Sequence, residues 1–167
     1  MRRKVFSKII VVIFIAGLMG CASTSSINST LTPAVPLDSF KTISVSVQTK
    51  VEDSEKETQT FKNILISELK KKNKWELVDG STQTQINLTA TITNLNKVST
   101  AGRLFAGALA GRASVDVDVM LKDAKGNMIS QFSVNGKSSG GTIFAGTTDQ
   151  ALEKAAEQIA AFMENGK

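Results

Sequence analysis

Hydrophobic and polar residues alternate with a period of two over several stretches of this chain, a pattern typical of strands buried on one face. The clearest stretch is 86–93, where Ile, Leu, Ala and Ile alternate with Asn and Thr. Further strands are predicted over 43–47, 75–77, 113–121 and 128–137. The segment Asp123–Asn127 is predicted to form the turn between the last two strands. The alternation indicates a sheet with one face in water.

Two other segments have the 3.6-residue period of amphipathic helices. The first follows Ser54, which with Glu57 is predicted to form a capping box, and it ends in a run of lysines before Asn73. The second follows Thr147 and presents Leu152 to Met163 on one side. The predicted fold is therefore α+β with two layers. It has a mostly antiparallel sheet, two helices on one face and the element order β-α-β-β-β-β-α.

The N-terminus has the pattern of an export signal rather than of a folded element. Met1 to Lys4 is positively charged, and Ile9 to Met19 is an unbroken apolar run. The run is too short for a membrane-spanning helix, which needs about 20 residues, and it fits the apolar core of a signal peptide. The run ends in Leu18-Met19-Gly20-Cys21, which resembles the lipobox of bacterial lipoproteins.

The lipobox resemblance implies cleavage of residues 1–20 and attachment of acyl lipid to Cys21, which is the only cysteine of the chain. A plain signal peptide and an uncleaved anchor are the alternatives. Two or three acyl chains hold a protein stably on a membrane, whereas one holds it marginally. In the sorting rules of such lipoproteins, Asp after the cysteine retains the protein at the inner membrane. Because Ala22 follows Cys21, the resemblance implies the outer membrane, with the domain facing the periplasm.

Residues 21–39 are rich in Ser and Thr and hold both prolines, and they show no apolar period. This composition predicts a flexible tether with a reach of roughly 25 Å, joined to a single domain over 40–167.

Charge and composition exclude several classes of function. Removal of the signal peptide leaves 16 basic and 15 acidic side chains, and the chain contains no Tyr and few other aromatic residues. We therefore expect no nucleic acid partner, because such proteins keep a basic excess and stacking surfaces. The absence of His removes the commonest general base and metal ligand. We expect no enzymatic activity, no catalytic residue, no metal, no cofactor apart from the acyl lipid, and no small-molecule substrate.

One glycine-rich segment stands out between two predicted strands. Its run from 101 to 112 lacks the Lys and Ser/Thr that a phosphate-binding loop requires. Gly107 and Gly111 have the small-xxx-small spacing that lets backbones approach closely. Two interpretations stay open, a contact surface for a partner, another copy or the membrane, and a buried connection. The candidate contact residues are Arg103, Leu104, Phe105, Gly107, Leu109, Gly111 and Arg112.

Several of these features together resemble one family of bacterial lipoproteins, catalogued as domain of unknown function 4410. They are the lipobox, the glycine-rich run after Arg103, the Asp123 turn, the Ser138–Gly141 motif and the Ala-rich last helix. The resemblance covers roughly 40–163 and implies no known activity. We expect a non-enzymatic envelope lipoprotein that binds or assembles a protein partner. The alternative is a self-associating subunit of an oligomeric envelope or export complex.

Overall fold

The computed structural model of this chain describes residues 25–33, 36–80, 84–98, 111–139 and 146–166. Within these ranges the chain forms six strands and two α-helices, with a 3-10 turn at Leu37–Ser39. In chain order the elements are β1 (Ser25–Leu31), β2 (Thr42–Thr49), α1 (Glu55–Lys72), β3 (Glu76–Leu77), β4 (Ile86–Asn96), β5 (Ser114–Asp123), β6 (Met128–Lys137) and α2 (Thr148–Asn165).

The strands form one sheet in the order β1-β6-β5-β4-β2-β3. The pairs β1–β6, β6–β5 and β5–β4 are antiparallel, whereas β2 runs parallel to both β4 and β3. The parallel pairing of β2 with β4 is possible because α1 returns the chain across the sheet. From β2 onwards the element order is β-α-β-β-β-β-α, so the predicted fold class is confirmed.

The core lies between one face of the sheet and the two helices. Cross-strand rows of buried side chains line this face, and the central row joins Ile92, Val117 and Val134. In the next row Phe132 stacks on Phe162 of α2, with ring centroids 3.9 Å apart. The alternating pattern thus identified the buried face correctly, because successive strand residues point to opposite sides of the sheet.

The two helix starts are built differently. Thr147 caps α2 as the sequence predicts, and its hydroxyl accepts a hydrogen bond from the Gln150 amide at 3.4 Å. The predicted capping box of α1 is wrong, since Ser54 makes no side-chain cap bond. Its buried hydroxyl instead donates to the carbonyl of Val51 at 2.6 Å and lies 2.8 Å from the Thr49 hydroxyl. It therefore stabilises the turn between β2 and α1.

The prediction of a tether over 21–39 is wrong for the seven residues of β1. Ser25 to Leu31 pair with β6, and Ile27 lies opposite Val134 on the core face. The sequence gives little sign of this strand, because Ile27 is its only apolar residue before Leu31. The strand forms because β6 offers a row of backbone donors and acceptors at the sheet edge, which hydrogen bonding satisfies.

Candidate functional site

Both α-helices start and three strands finish at one end of the domain, which we call the loop end. It is the end at which β1, β5, α1 and α2 begin and β2, β4 and β6 finish. The exit of β4 is joined to the start of α2 by hydrogen bonds in both directions. The Val98 amide donates to the Thr148 hydroxyl at 2.9 Å, and the Thr148 amide donates to the Val98 carbonyl at 3.2 Å.

A second set of hydrogen bonds fixes the start of β5 at the loop end. The Ser138 hydroxyl, which is buried, accepts from the Ala113 amide at 2.9 Å, and the Ser138 amide donates to the Ala113 carbonyl at 3.0 Å. The Asn96 side chain donates to the Arg112 carbonyl at 3.0 Å. The described residues on either side of 99–110 and of 140–145 therefore lie at the loop end.

Most of the predicted contact segment lies outside the described residues, namely Arg103, Leu104, Phe105, Gly107 and Leu109. The structure places its last two residues, Gly111 and Arg112, in exposed positions. Gly111 has φ +75, and a Cβ added there would meet nothing within 4 Å. Its conformation therefore explains the choice of glycine, because L-residues with a side chain rarely adopt positive φ.

A cavity of about 340 Å³ opens at the loop end between the starts of the two helices. It is lined by Lys56, Glu57, Thr60, Lys97, Val98, Thr147, Thr148 and Asp149. The Lys97 ammonium lies 3.0 Å from the Glu57 carboxylate and also donates to the Asp53 carbonyl. Burial acts to raise the pKa of Glu57, but hydrogen bonds from Lys97 and the backbone, with nearby positive charge, hold it below the ordinary value.

The face of the sheet opposite the helices is polar, and two of its carboxylates, those on β5, are held by neighbouring side chains. Asp116 accepts from the amide groups of Asn94, at 3.1 Å, and Asn135. Asp118 accepts from the Ser133 hydroxyl at 2.7 Å. These bonds tie three strands together across the face. They give both aspartates a structural role in which the carboxylate oxygens already have donors.

A row of basic residues marks the loop end of the four central strands, and we call it the basic row. Lys50 directly follows β2, Lys97 follows β4, Arg112 stands two residues before β5, and Lys137 is the last residue of β6. All four are exposed. The sequence pattern did not predict this row. Its only local signal is that each of the four residues stands where an alternating segment starts or stops.

The lipobox residues Leu18, Met19, Gly20 and Cys21 lie outside the described part of the chain, which begins at Ser25. Ser25 itself is at the loop end, opposite Gly136 and next to the basic row. Neither α1 nor α2 has the length and apolar content needed to cross a membrane. Among the described residues, no three His, Cys, Asp or Glu side chains cluster in a way that could hold a metal ion.

The architecture defines a class, a two-layer α+β domain with a six-stranded sheet and two helices on one of its faces. Within that class the chain belongs to the family described as Domain of unknown function (DUF4410), whose model matches residues 22–142. The match includes β1, in agreement with the structure. The family resemblance stated from the sequence is thereby confirmed. A search of curated proteins found no match.

Solved structures share this fold at low sequence identity. A PelC dodecamer from Paraburkholderia phytofirmans matches with a TM-score of 0.59 and 13% identity, over 84% of this chain and 98% of that one. A PelC variant dodecamer in another crystal form gives 0.57 and 14%, over 85% and 99%. Protein XCC0632 from Xanthomonas campestris, of family DUF330, gives 0.51 and 10%, over 86% and 94%. At these identities the likeness shows the fold alone.

Proposed function

We propose that this protein is an envelope lipoprotein that is anchored by acyl lipid on Cys21 and acts by binding or assembling other components, without catalysis. The observation that carries the proposal is where the family match begins. It starts at residue 22, directly after the cysteine of the lipobox. Cleavage before Cys21 would therefore leave the acylated residue joined directly to the segment that the family model matches. Ala22 in place of Asp supports the outer membrane as its location.

The non-enzymatic part of the proposal is supported by how the polar side chains are used. The chain has no His. Asp116 and Asp118 are each bonded to neighbouring side chains, and Glu57 is paired with Lys97 at the cavity. A general acid or base needs a group placed to exchange a proton with a substrate, and these carboxylates are engaged in holding strands and loops. A partner held on a surface is the function that such a domain supports best.

The anchor is tested by replacing the acyl acceptor. Cys21→Ser is expected to abolish incorporation of a fatty-acid probe and to leave the signal peptide attached, because the thiol receives the lipid before cleavage. Metabolic labelling and the mass of the purified protein measure both effects. Ser23→Ala, which changes a neighbouring residue and keeps the thiol, serves as the control and should label normally. Equal labelling of the Cys21→Ser protein would refute the anchor.

A second candidate function is a subunit of a homo-oligomeric envelope complex. The specific observation in its favour is the shared fold with the PelC dodecamers, which this domain matches over nearly the whole length of their chain. A ring or stack of copies would also cover the exposed sheet edges at β1 and at the two-residue β3. This second candidate predicts that the 22–167 fragment forms a defined oligomer, whose molar mass light scattering measures. A monomer over a wide range of concentrations would favour binding by single copies.

A further inference from the structure

We propose that the loop end of the domain lies against the membrane surface, where the basic row contacts the phosphate groups of anionic phospholipids. This inference rests on the proposed lipid anchor at Cys21. It adds an orientation and a ligand chemistry, which neither the family nor the fold specifies.

The first argument is the length of chain between the anchor and the sheet. Ser25 is the first residue of β1, four residues after Cys21. A fully extended chain spans at most about 3.3–3.6 Å per residue, so this connection spans at most about 14 Å. The reach of about 25 Å that the tether prediction gave is too long, because β1 takes up seven of its residues.

The second argument is the place at which β1 begins. Ser25 lies opposite Gly136, the second-last residue of β6, so the anchor enters the domain at the loop end. The turn at the other end of β6 is about 30 Å away, because Asn127 is nine residues from Gly136 and a strand rises about 3.3 Å per residue. A connection of about 14 Å holds the loop end near the lipid and leaves that turn far from it.

The third argument is the charge that the sheet presents at this end. Lys50, Arg112 and Lys137 are exposed, and the structure places them at the ends of three neighbouring or near-neighbouring strands. Of the acidic residues at this end, Glu55 and Asp149 stand at the helix starts, whereas Glu52 and Asp53 lie in the turn after β2. Asp116 on β5 accepts hydrogen bonds from Asn94 and Asn135. On the strands, Arg112 and Lys137 lie beyond Asp116 toward the loop end, so positive charge is what these strands present to anionic lipid. A basic residue near such a surface strengthens the attraction by about fivefold.

The orientation can be measured on the full lipidated protein in vesicles of equal parts phosphatidylethanolamine and phosphatidylglycerol. Acylation blocks the Cys21 sulfur, so one added cysteine is the only free thiol for a fluorophore. Ser114→Cys places the label at the loop end on β5, where Ser114 pairs with Lys137, two strands away from the anchored β1. Ala124→Cys places it in the turn at the opposite end. A phospholipid with a nitroxide headgroup should quench the label at position 114 several-fold more than the label at 124.

The role of the basic row is tested by a matched pair of charge-removal variants. Lys50→Gln, Arg112→Gln and Lys137→Gln together should abolish most of the difference in quenching between the two labels. Lys41→Gln, Lys122→Gln and Lys125→Gln remove the same charge at the other end of the sheet and should leave the difference in place. Lys97 is kept in both, because it pairs with Glu57. Unchanged circular dichroism and melting temperature show that each variant is folded.

The possible failures are distinguishable. A protein that carries no acyl group and does not float with the vesicles overturns the proposed anchor, and this inference with it. An acylated protein whose two labels are quenched equally, or more at 124, overturns the orientation while the anchor stands. Equal effects of the two charge-removal variants overturn the contact between the basic row and phosphate.

Discussion

Replacing Val117 by Asp is expected to leave the domain without a cooperative thermal transition. Val117 is fully buried in the middle of β5, between Ile92 of β4 and Val134 of β6. A carboxylate there would have no partner, and burying an unpaired charge costs so much that the protein unfolds instead. We expect a loss of more than about 4 kcal/mol in the free energy of unfolding, which a domain of marginal stability does not survive.

The matched control is Gln131→Asp, which places the same side chain on the exposed face of β6. Its effect should stay within about 0.5 kcal/mol, because substitutions at wet surface positions change stability little. Thermal melts followed by circular dichroism compare the two. A Val117→Asp protein that melts like the control would mean that the faces of β5 are assigned to the wrong sides.

Gly136→Ala is expected to be the second most damaging change, although it adds a single methyl group. A Cβ at this position would lie 2.3 Å from the Ala151 carbonyl oxygen and 2.8 Å from the Ala155 nitrogen, both backbone atoms of α2. Since α2 packs directly on the backbone of β6 here, the helix itself must shift to make room. We expect a loss of about 1–3 kcal/mol, or more if the Phe132–Phe162 stack is disturbed.

Two comparisons isolate the close approach as the cause. Gly126→Ala has open space around the added Cβ and is limited only by a φ of +85, so it should cost about 1–2 kcal/mol. Ala155→Gly in the Gly136→Ala background should fail to restore stability, because the nearest atoms belong to the backbone of α2. Urea unfolding measures all three. Full rescue by Ala155→Gly would show that the side chain of Ala155, and not the helix backbone, sets the limit.

The sequence could predict the elements whose signal is local. The alternation over β4 and β5 placed Val117 inward and Asp116 outward because side-chain direction in a strand follows from position alone. The two amphipathic helices were predicted for the same reason, as their period of 3.6 needs no knowledge of the partner surface. The turn at Asp123 is likewise a local pattern, and the Asp123 carboxylate accepts hydrogen bonds from the amides of Lys125 and Asn127.

What depends on residues far apart in the chain was decided only by the tertiary structure. β1 has one core-facing apolar residue, Ile27, and it is a strand because β6 offers an unpaired edge more than a hundred residues later. No local feature distinguishes Gly136 from other strand glycines, and its importance follows from the packing of α2 on its backbone. The basic row exists because four strands have their ends toward the same side of the sheet, with β2 ending opposite Ile92, four residues before the end of β4. Its position beside Ser25 follows from the pairing of β1. Periodicity predicts the direction in which a side chain points. The neighbours of that side chain depend on strand order and register, which arise from contacts between residues that are distant in the chain.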